Sequence, residues 1–244
     1  MNEAAEPLIS EVAASCPWPL TVATYNIHGA VGSDGSFAPE RVAGVLEEIG
    51  ADIVALQEVP LGGANMPDVL ELLQESTGLA AASARTCMIS GRAYGNAILS
   101  RYPIAATRAI DISFGSREPR GALDADILCH THPLRIIATH LGLSPAERQA
   151  QVRKLLQVFD TEEMPVILLG DVNEWFMWGK PLRWLVSHFQ AVPAPRTFPA
   201  RLPLFALDRI WIRPRHRLSH VRAHASPLAR MASDHLPLVA RIEE

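Results

Sequence analysis

Along the chain, short apolar runs bounded by turn residues alternate with stretches whose apolar positions recur every three or four residues. Residues 20–27 (LTVATYNI) and 52–59 (DIVALQEV) predict buried strands. The helix between them opens at Pro39 and closes at Gly50, because proline suits the first helical turn and glycine the left-handed position after the last. A second helix is predicted over 67–76, ended by Gly78, followed by strand-like runs at 79–89, 96–100, 104–112 and 121–129 that form a meander. The second half repeats the opening theme with a strand at 134–140 (LRIIATH) and the capping box Ser144-Pro145-Ala146-Glu147. The helix that box starts carries Val152, Leu155, Leu156 and Phe159 on one face. A strand at 165–170, a helix at 181–189 and strands at 208–212, 220–224 and 236–242 complete the pattern, which packs as sheets covered by helices.

No low-complexity linker divides the 244 residues, so residues 20–244 read as one domain behind an N-terminal extension, residues 1–19, and the proline-rich stretch 191–203 as an ordered loop or flap. At 48% hydrophobic and 20% charged residues the composition is globular, too apolar for a disordered chain. The net charge of −4 gives no general attraction to polyanions. Lys154 and Lys180 are the only lysines, leaving the cationic work to arginine, the planar bidentate phosphate binder. Cys16, Cys87 and Cys129 are far apart and form no C-x-x-C pair, which points to a reduced, cytoplasmic setting. The first residues carry Glu3, Glu6 and Glu11 without a basic start or a long apolar run, so neither a signal peptide nor a membrane span is expected.

Polar residues gather at the ends of apolar strands: Asn26, Glu58, His140, Asp171 with Asn173, Asp208, and Asp234 with His235. Taken singly each has an ordinary reading, as a turn residue, a solvated strand end, an Asx-turn or a satisfied core histidine. Together, carboxylates, an amide and imidazoles at strand ends can converge on one rim of a sheet, and a site of oxygen donors suits Mg²⁺ or Mn²⁺ rather than zinc.

The ordered set Tyr25-Asn26-Ile27-His28-Gly29, Leu56-Gln57-Glu58-Val59, Tyr94-Gly95-Asn96-Ala97-Ile98-Leu99-Ser100-Arg101, Thr139-His140-Leu141, Gly170-Asp171-Val172-Asn173, Leu207-Asp208-Arg209-Ile210 and Ser233-Asp234-His235-Leu236-Pro237 resembles the signature motifs of the endonuclease/exonuclease/phosphatase superfamily. The likeness covers about residues 21–242. It implies a four-layered α/β sandwich, two mostly antiparallel sheets packed face to face with helices outside, that hydrolyses phosphoesters with a divalent metal. By that resemblance Glu58 binds the metal, and Asn26 and Asp234 complete or orient its shell. Asp171, held near Asn173, aligns and deprotonates the attacking water. His235, oriented by Asp208 and kept protonated, donates to a phosphate oxygen, and His140 contacts the phosphate from the other side. Asn96 stands where some nuclease relatives carry a carboxylate partner for that histidine.

Arg117 and Arg120 resemble the segment from which nuclease relatives reach a substrate phosphate; as plain chemistry they are also two solvated arginines in a turn. Arg213, Arg215, Arg217, Arg222 and Arg230 with His216, His220 and His224 form a basic C-terminal stretch that an alternating strand with one polar face also explains. Trp175-Phe176-Met177-Trp178 either fold back to cap the next helix or make a hydrophobic wall beside the phosphate, fit for an acyl chain or a flipped base. Three readings follow: a Mg²⁺/Mn²⁺-dependent phosphodiesterase acting on a small, nucleotide or lipid-type diester; a nuclease acting on DNA, which the net charge disfavours; and an inactive binding module. The presence of Glu58, Asp171, Asp208 and His235 together argues against the last.

Overall fold

The structure, a computed structural model, describes residues 19–63, 66–129, 132–158, 165–213 and 217–243. Strand β1 (Leu20–Asn26) is followed by helix α1 (Pro39–Ile49), β2 (Ile53–Gly63), β3 (Met66–Asp68) and α2 (Val69–Thr77). Next come β4 (Ala80–Ile89), β5 (Arg92–Ser100), β6 (Ile104–Asp111), β7 (Gly121–Cys129), β8 (His132–His140), α3 (Pro145–Val158), β9 (Val166–Asp171) and α4 (Lys180–Phe189). The described chain ends with β10 (Asp208–Arg213), β11 (Arg217–Ala223), α5 (Pro227–Ala232) and β12 (Leu238–Glu243). One sheet runs β11-β12-β1-β2-β5-β4 with β3 paired to β2, and the other runs β10-β9-β8-β7-β6. Each contains one parallel pair, β1 with β2 and β8 with β9, and is otherwise antiparallel.

The sheets stack face to face, and three apolar layers separate four layers of structure. Leu20 and Val22 of β1 pack between the sheets with Ile136, Ile167 and Ile210, while Ala23 and Tyr25 pack outward against Val42 and Leu46 of α1 and Leu73 of α2. A strand buried on both faces reads as a continuous apolar run, which is why alternation is absent from residues 20–27. Val152 and Leu155 of α3 close the opposite face with Leu182 and Leu185 of α4. Each such fully buried side chain contributes roughly 1.5–3 kcal/mol. The expected sandwich of two mostly antiparallel sheets with outer helices is therefore the architecture found.

Three local differences have physical causes. Residues 66–68 pair with β2 before α2 begins, and Asp68, not Pro67, starts that helix by accepting from the Leu70 and Glu71 amides at 2.9 and 3.4 Å. Strand β12 begins at Leu238 rather than 236, because Pro237 has no N–H to give the ladder; its carbonyl accepts from His224 instead. The short α5 had a legible start in Ser226-Pro227, with the Ser226 hydroxyl accepting from the Ala229 amide at 3.0 Å. The capping box of α3 forms as expected, Ser144 N to Glu147 Oε2 at 3.0 Å and Glu147 N to Ser144 Oγ at 3.3 Å. Phe159, Cys16 and residues 1–18 of the expected N-terminal extension lie outside the described residues. No described helix is long and apolar enough to cross a membrane.

Candidate active site

Sheet register brings three of the polar strand ends into one row. His140 at the end of β8 pairs with Asp171 at the end of β9, and Asp171 pairs with Asp208 at the start of β10. Gly170 permits the close β8–β9 approach: its φ is +153°, and a Cβ there would sit 1.9 Å from the Thr139 carbonyl oxygen. The facing sheet supplies Asn26 from the end of β1 and Glu58 from β2. Pairing of β2 with β5 slips between Leu56 and Val59, and Glu58 inside that bulge adopts φ +55°. A bulge re-aims a side chain, and here it turns the Glu58 carboxylate towards the other sheet. Asn173 likewise sits at φ +49°, and these uncommon backbone conformations cluster at the site.

The side chains meet in a cleft of about 540 Å³ whose lining includes Asn26, Glu58, His140, Asp171, Asn173, Asp234 and His235. Asp171, buried, lies at its centre. Its Oδ1 accepts from the Asn173 backbone amide at 2.9 Å, so the Asx-turn expected of an ordinary Asp-x-Asn is present, while Oδ2 faces Asn26 and the cleft. The Asn26 side-chain amide donates to Asp171 Oδ2 and to Glu58 Oε1, both at 3.1 Å, tying the two sheets' carboxylates together. Its own oxygen accepts from the His28 amide at 3.0 Å, so Asn26 orients carboxylates here. His235 Nδ1 lies 2.9 Å from Asp208 Oδ2, and its Nε2 lies 3.6 Å from Asp171 Oδ2.

The two histidines are driven in opposite directions. Burial opposes a charge on His235, but Asp208 and Asp171 outweigh it and push its pKa up to about 10, so the ring is an imidazolium. For His140, burial comes first and the Arg120 cation second, and together they push the pKa down to about 3. Arg120 Nη1 lies 2.8 Å from His140 Nδ1, which places the guanidinium directly against the ring. On the other side of the ring, Nε2 lies 3.0 Å from the Asn173 side-chain nitrogen, which also donates to the Leu141 carbonyl, and 3.5 Å from Asp171 Oδ2.

Other sequence expectations fare differently. Asn96 lines the cleft, but its amide donates to the Gly121 carbonyl at 2.8 Å, and the partner at the His140 ring is Arg120. Arg120 enters the cleft with its buried Nε lacking a hydrogen-bond partner among the described residues, whereas Arg117 stays exposed in the turn outside it. The basic C-terminal residues do not gather there: Arg230 braces the carbonyls of Ala200 and Arg201, His224 pairs with Glu48, and residues 214–216 lie outside the described residues. Trp175 lines the cleft and meets Phe205 and Phe198 edge-on at 4.8 and 5.8 Å; Phe198 in turn lies 4.8 Å from the His235 ring. Residues 176–178 remain exposed, and no side chain caps the start of α4 among the described residues. Behind this loop Glu174 forms a buried pair with Arg148 at 3.2 Å, and Arg148 also donates to the Leu143 carbonyl.

Two positioning residues carried no role in the sequence reading. Thr197, in the proline-rich loop, donates to Asp208 Oδ2 at 2.5 Å. Ser233, visible only as the first letter of Ser-Asp-His, accepts from the His235 amide at 3.2 Å and donates to the Asn26 carbonyl at 2.8 Å.

The donor set bears on which ion fits. Asp171, Asp208 and His235 place ligand-type atoms within 4.8 Å of one another, but Asp208 and His235 already bond each other and a protonated imidazole cannot ligate. Glu58 and Asp234 lie open to the cleft, 36% and 37% exposed. Burial, with Asp234 and Asp171 adding to it against the Asn26 hydrogen bond, pushes the Glu58 carboxyl above the usual range. Crowded carboxylate oxygens of this kind fit a hard divalent cation.

The sequence model of the Endonuclease/Exonuclease/phosphatase family matches residues 23–235. The chain belongs to this family. It is 34% identical to YbhP of Escherichia coli, an uncharacterized protein, over 91% of this chain and 95% of that one. Among solved structures of the same fold, a family protein from Leptotrichia buccalis superposes with a TM-score of 0.76 at 15% identity, covering 92% of this chain and all of that one. D. rerio TDP2 bound to a single-strand DNA product superposes at 0.70 with 19% identity, covering 93% and 100%. A mannosyl-6-phosphatase from Bacteroides thetaiotaomicron gives 0.67 with 18% identity, covering 91% and 98%. Family members are hydrolases of phosphoester bonds and are generally divalent-metal dependent, in keeping with the acidic and histidine groups gathered here.

Proposed function

We propose that the protein is a Mg²⁺- or Mn²⁺-dependent phosphodiesterase that hydrolyses a small or lipid-type phosphodiester by in-line attack of water activated by Asp171. The observation that carries this reading is the charge pattern of the cleft. Four carboxylates line it, Glu58, Glu118, Asp171 and Asp234, against Arg120 as the one arginine or lysine among the described lining residues. A phosphate anion enters such a cleft only with a cation to neutralise the excess.

Glu58 and Asp234 would hold the divalent ion, with Asn26 fixing the Glu58 carboxylate from behind. When bound, such an ion neutralises phosphate oxygens and stabilises charge on the leaving oxygen. Asp171, locked by Asn173 and Asn26, presents Oδ2 to the cleft as acceptor for the proton of an attacking water. His235, charged and anchored through Asp208 to Thr197, directs its Nε2–H into the same space and stabilises negative charge on a non-bridging oxygen. His140 enters neutral and not as a general acid. Arg120, with its free Nε, supplies a fixed positive charge towards phosphate.

A nuclease reading draws support from the fold shared with TDP2, whose structure holds DNA product. The net charge of −4 and the acidic cleft weigh against it, since DNA affinity comes mainly from phosphate neutralisation. Turnover of bis-p-nitrophenyl phosphate, phospholipids, nucleotides and oligonucleotides with added Mg²⁺ or Mn²⁺ separates these readings, alongside oligonucleotide filter binding at two salt concentrations. Hydrolysis of simple or lipid diesters without salt-sensitive DNA binding is expected. Turnover confined to oligonucleotides would reverse the assignment, and turnover of monoesters alone would remove the diesterase.

A further inference from the structure

Fourteen large apolar side chains are exposed among the described residues, and eight of them lie on three loops at one side of the cleft. These are the loops after β8 (Leu143), after β9 (residues 175–178) and between α4 and β10, at the end of the proline-rich stretch and just past it (Leu202, Leu204, Phe205). The three loops are joined. Arg148 ties the Leu143 carbonyl to Glu174, and the Trp175 ring packs on Phe198 and Phe205. Met177 and Trp178 are each 75% exposed and do not line the cleft, so the catalytic reading leaves them without a role.

Charge on the same segment is one-sided. Between Trp175 and Leu207 there is no Asp or Glu, while Lys180, Arg183, Arg196 and Arg201 are all exposed, in a chain whose net charge is −4. An apolar rim with tryptophan and phenylalanine at its edge and cations beside it matches the interface of an anionic bilayer: the aromatic groups enter the headgroup level and the cations meet lipid phosphates. A nucleic acid would use the cations but not exposed Met177, Leu202 and Leu204, and in a symmetric contact between two copies of this chain the same four positive charges would face one another.

We infer that this rim is a membrane-docking surface for anionic phospholipid bilayers, which opens the candidate active site against the lipid. The inference goes beyond the phosphodiesterase reading, because attachment depends on the rim whatever bond the cleft breaks.

Co-sedimentation with lipid vesicles in EDTA tests it without turnover. The full chain is expected to sediment with vesicles of phosphatidylcholine and phosphatidylglycerol, about tenfold more weakly with phosphatidylcholine alone, and less at high salt. Phe176→Ala/Trp178→Ala lowers partitioning at least about tenfold and leaves bis-p-nitrophenyl phosphate turnover at the parent's rate. Arg196→Glu/Arg201→Glu lowers sedimentation on the anionic vesicles selectively, so the inference does not hang on one variant folding. Absence of sedimentation overturns the inference, as does equal sedimentation of parent and both variants. A dimer in light scattering, or salt-sensitive oligonucleotide retention, that the same substitutions abolish would assign the rim to another occupant and overturn it too. Sedimentation without diester turnover leaves the docking surface standing and removes the phosphodiesterase; turnover without sedimentation does the opposite.

Discussion

Replacing Asp208 by asparagine removes the anion 2.9 Å from His235 Nδ1 while keeping its shape, in a buried place where water cannot compensate. In the parent, burial alone would discharge the ring, yet Asp208 and Asp171 push its pKa from 6.5 up to about 10. A histidine raised on folding contributes stability that is fully present below its unfolded value of about 6.5 and is lost as pH rises through about 10. At 1.36 kcal/mol for each tenfold change in proton affinity, that contribution has a ceiling of about 5 kcal/mol, or roughly 10–20 °C in Tm for a chain of this length. His140 acts with the opposite sign. Pushed down to about 3 by burial and by Arg120, it contributes stability present above about 6.5 and lost as pH falls towards 3. Scanning calorimetry in EDTA, which keeps divalent ions from the cleft, should show the parent's Tm falling between about pH 7 and 10. In Asp208→Asn the fall should shrink by at least half, with a remainder owed to Asp171 at 3.6 Å from Nε2. Curves for parent and variant that run parallel across this range would refute the reasoning.

The remaining expectations concern turnover and packing. Asp171→Ala and His235→Ala should each lower kcat on bis-p-nitrophenyl phosphate by about a hundredfold or more with the fold intact by circular dichroism, as befits a base and an electrostatic stabiliser; near-parental rates in either variant contradict the roles given. EDTA should abolish turnover and Mg²⁺ or Mn²⁺ restore it, and full activity in chelator would take the metal out of the mechanism. Asn26→Ala frees Glu58 and Asp171 together, so metal affinity measured by Mn²⁺ titration and turnover should both fall by roughly 10- to 100-fold; an unchanged Mn²⁺ affinity would argue against its orienting role. Gly170→Ala should lower Tm or prevent folding, since its Cβ has no room beside Thr139, and a parental Tm would mean that β8 and β9 can part at no cost.

The layers and many elements were legible because their causes are local. Apolar runs without alternation identified strands buried on both faces, and Pro39, Gly50 and the Ser144–Glu147 box marked helix ends that the backbone then obeyed. The motif letters were legible for the same reason: a strand end placing Asn26, Glu58, His140 or Asp171 in polar surroundings is visible within a few residues. Where local signals were weak or overridden, the reading slipped, as with Pro67, displaced by the pairing of residues 66–68 with β2.

The sequence by itself determined the family, and with it the phosphoester-hydrolase class, and which polar side chains stand at the strand ends. Only the tertiary structure decided how they are wired. Arg120 rather than Asn96 faces His140, Thr197 from outside the motifs joins His235 in holding Asp208, and the Asn26 amide spans two sheets to bind carboxylates 32 and 145 residues away. Those contacts depend on strand register, on a bulge at Glu58 and on one glycine that lets two strands approach. The forces that set them act between segments that are remote along the chain, so no window of sequence contains them.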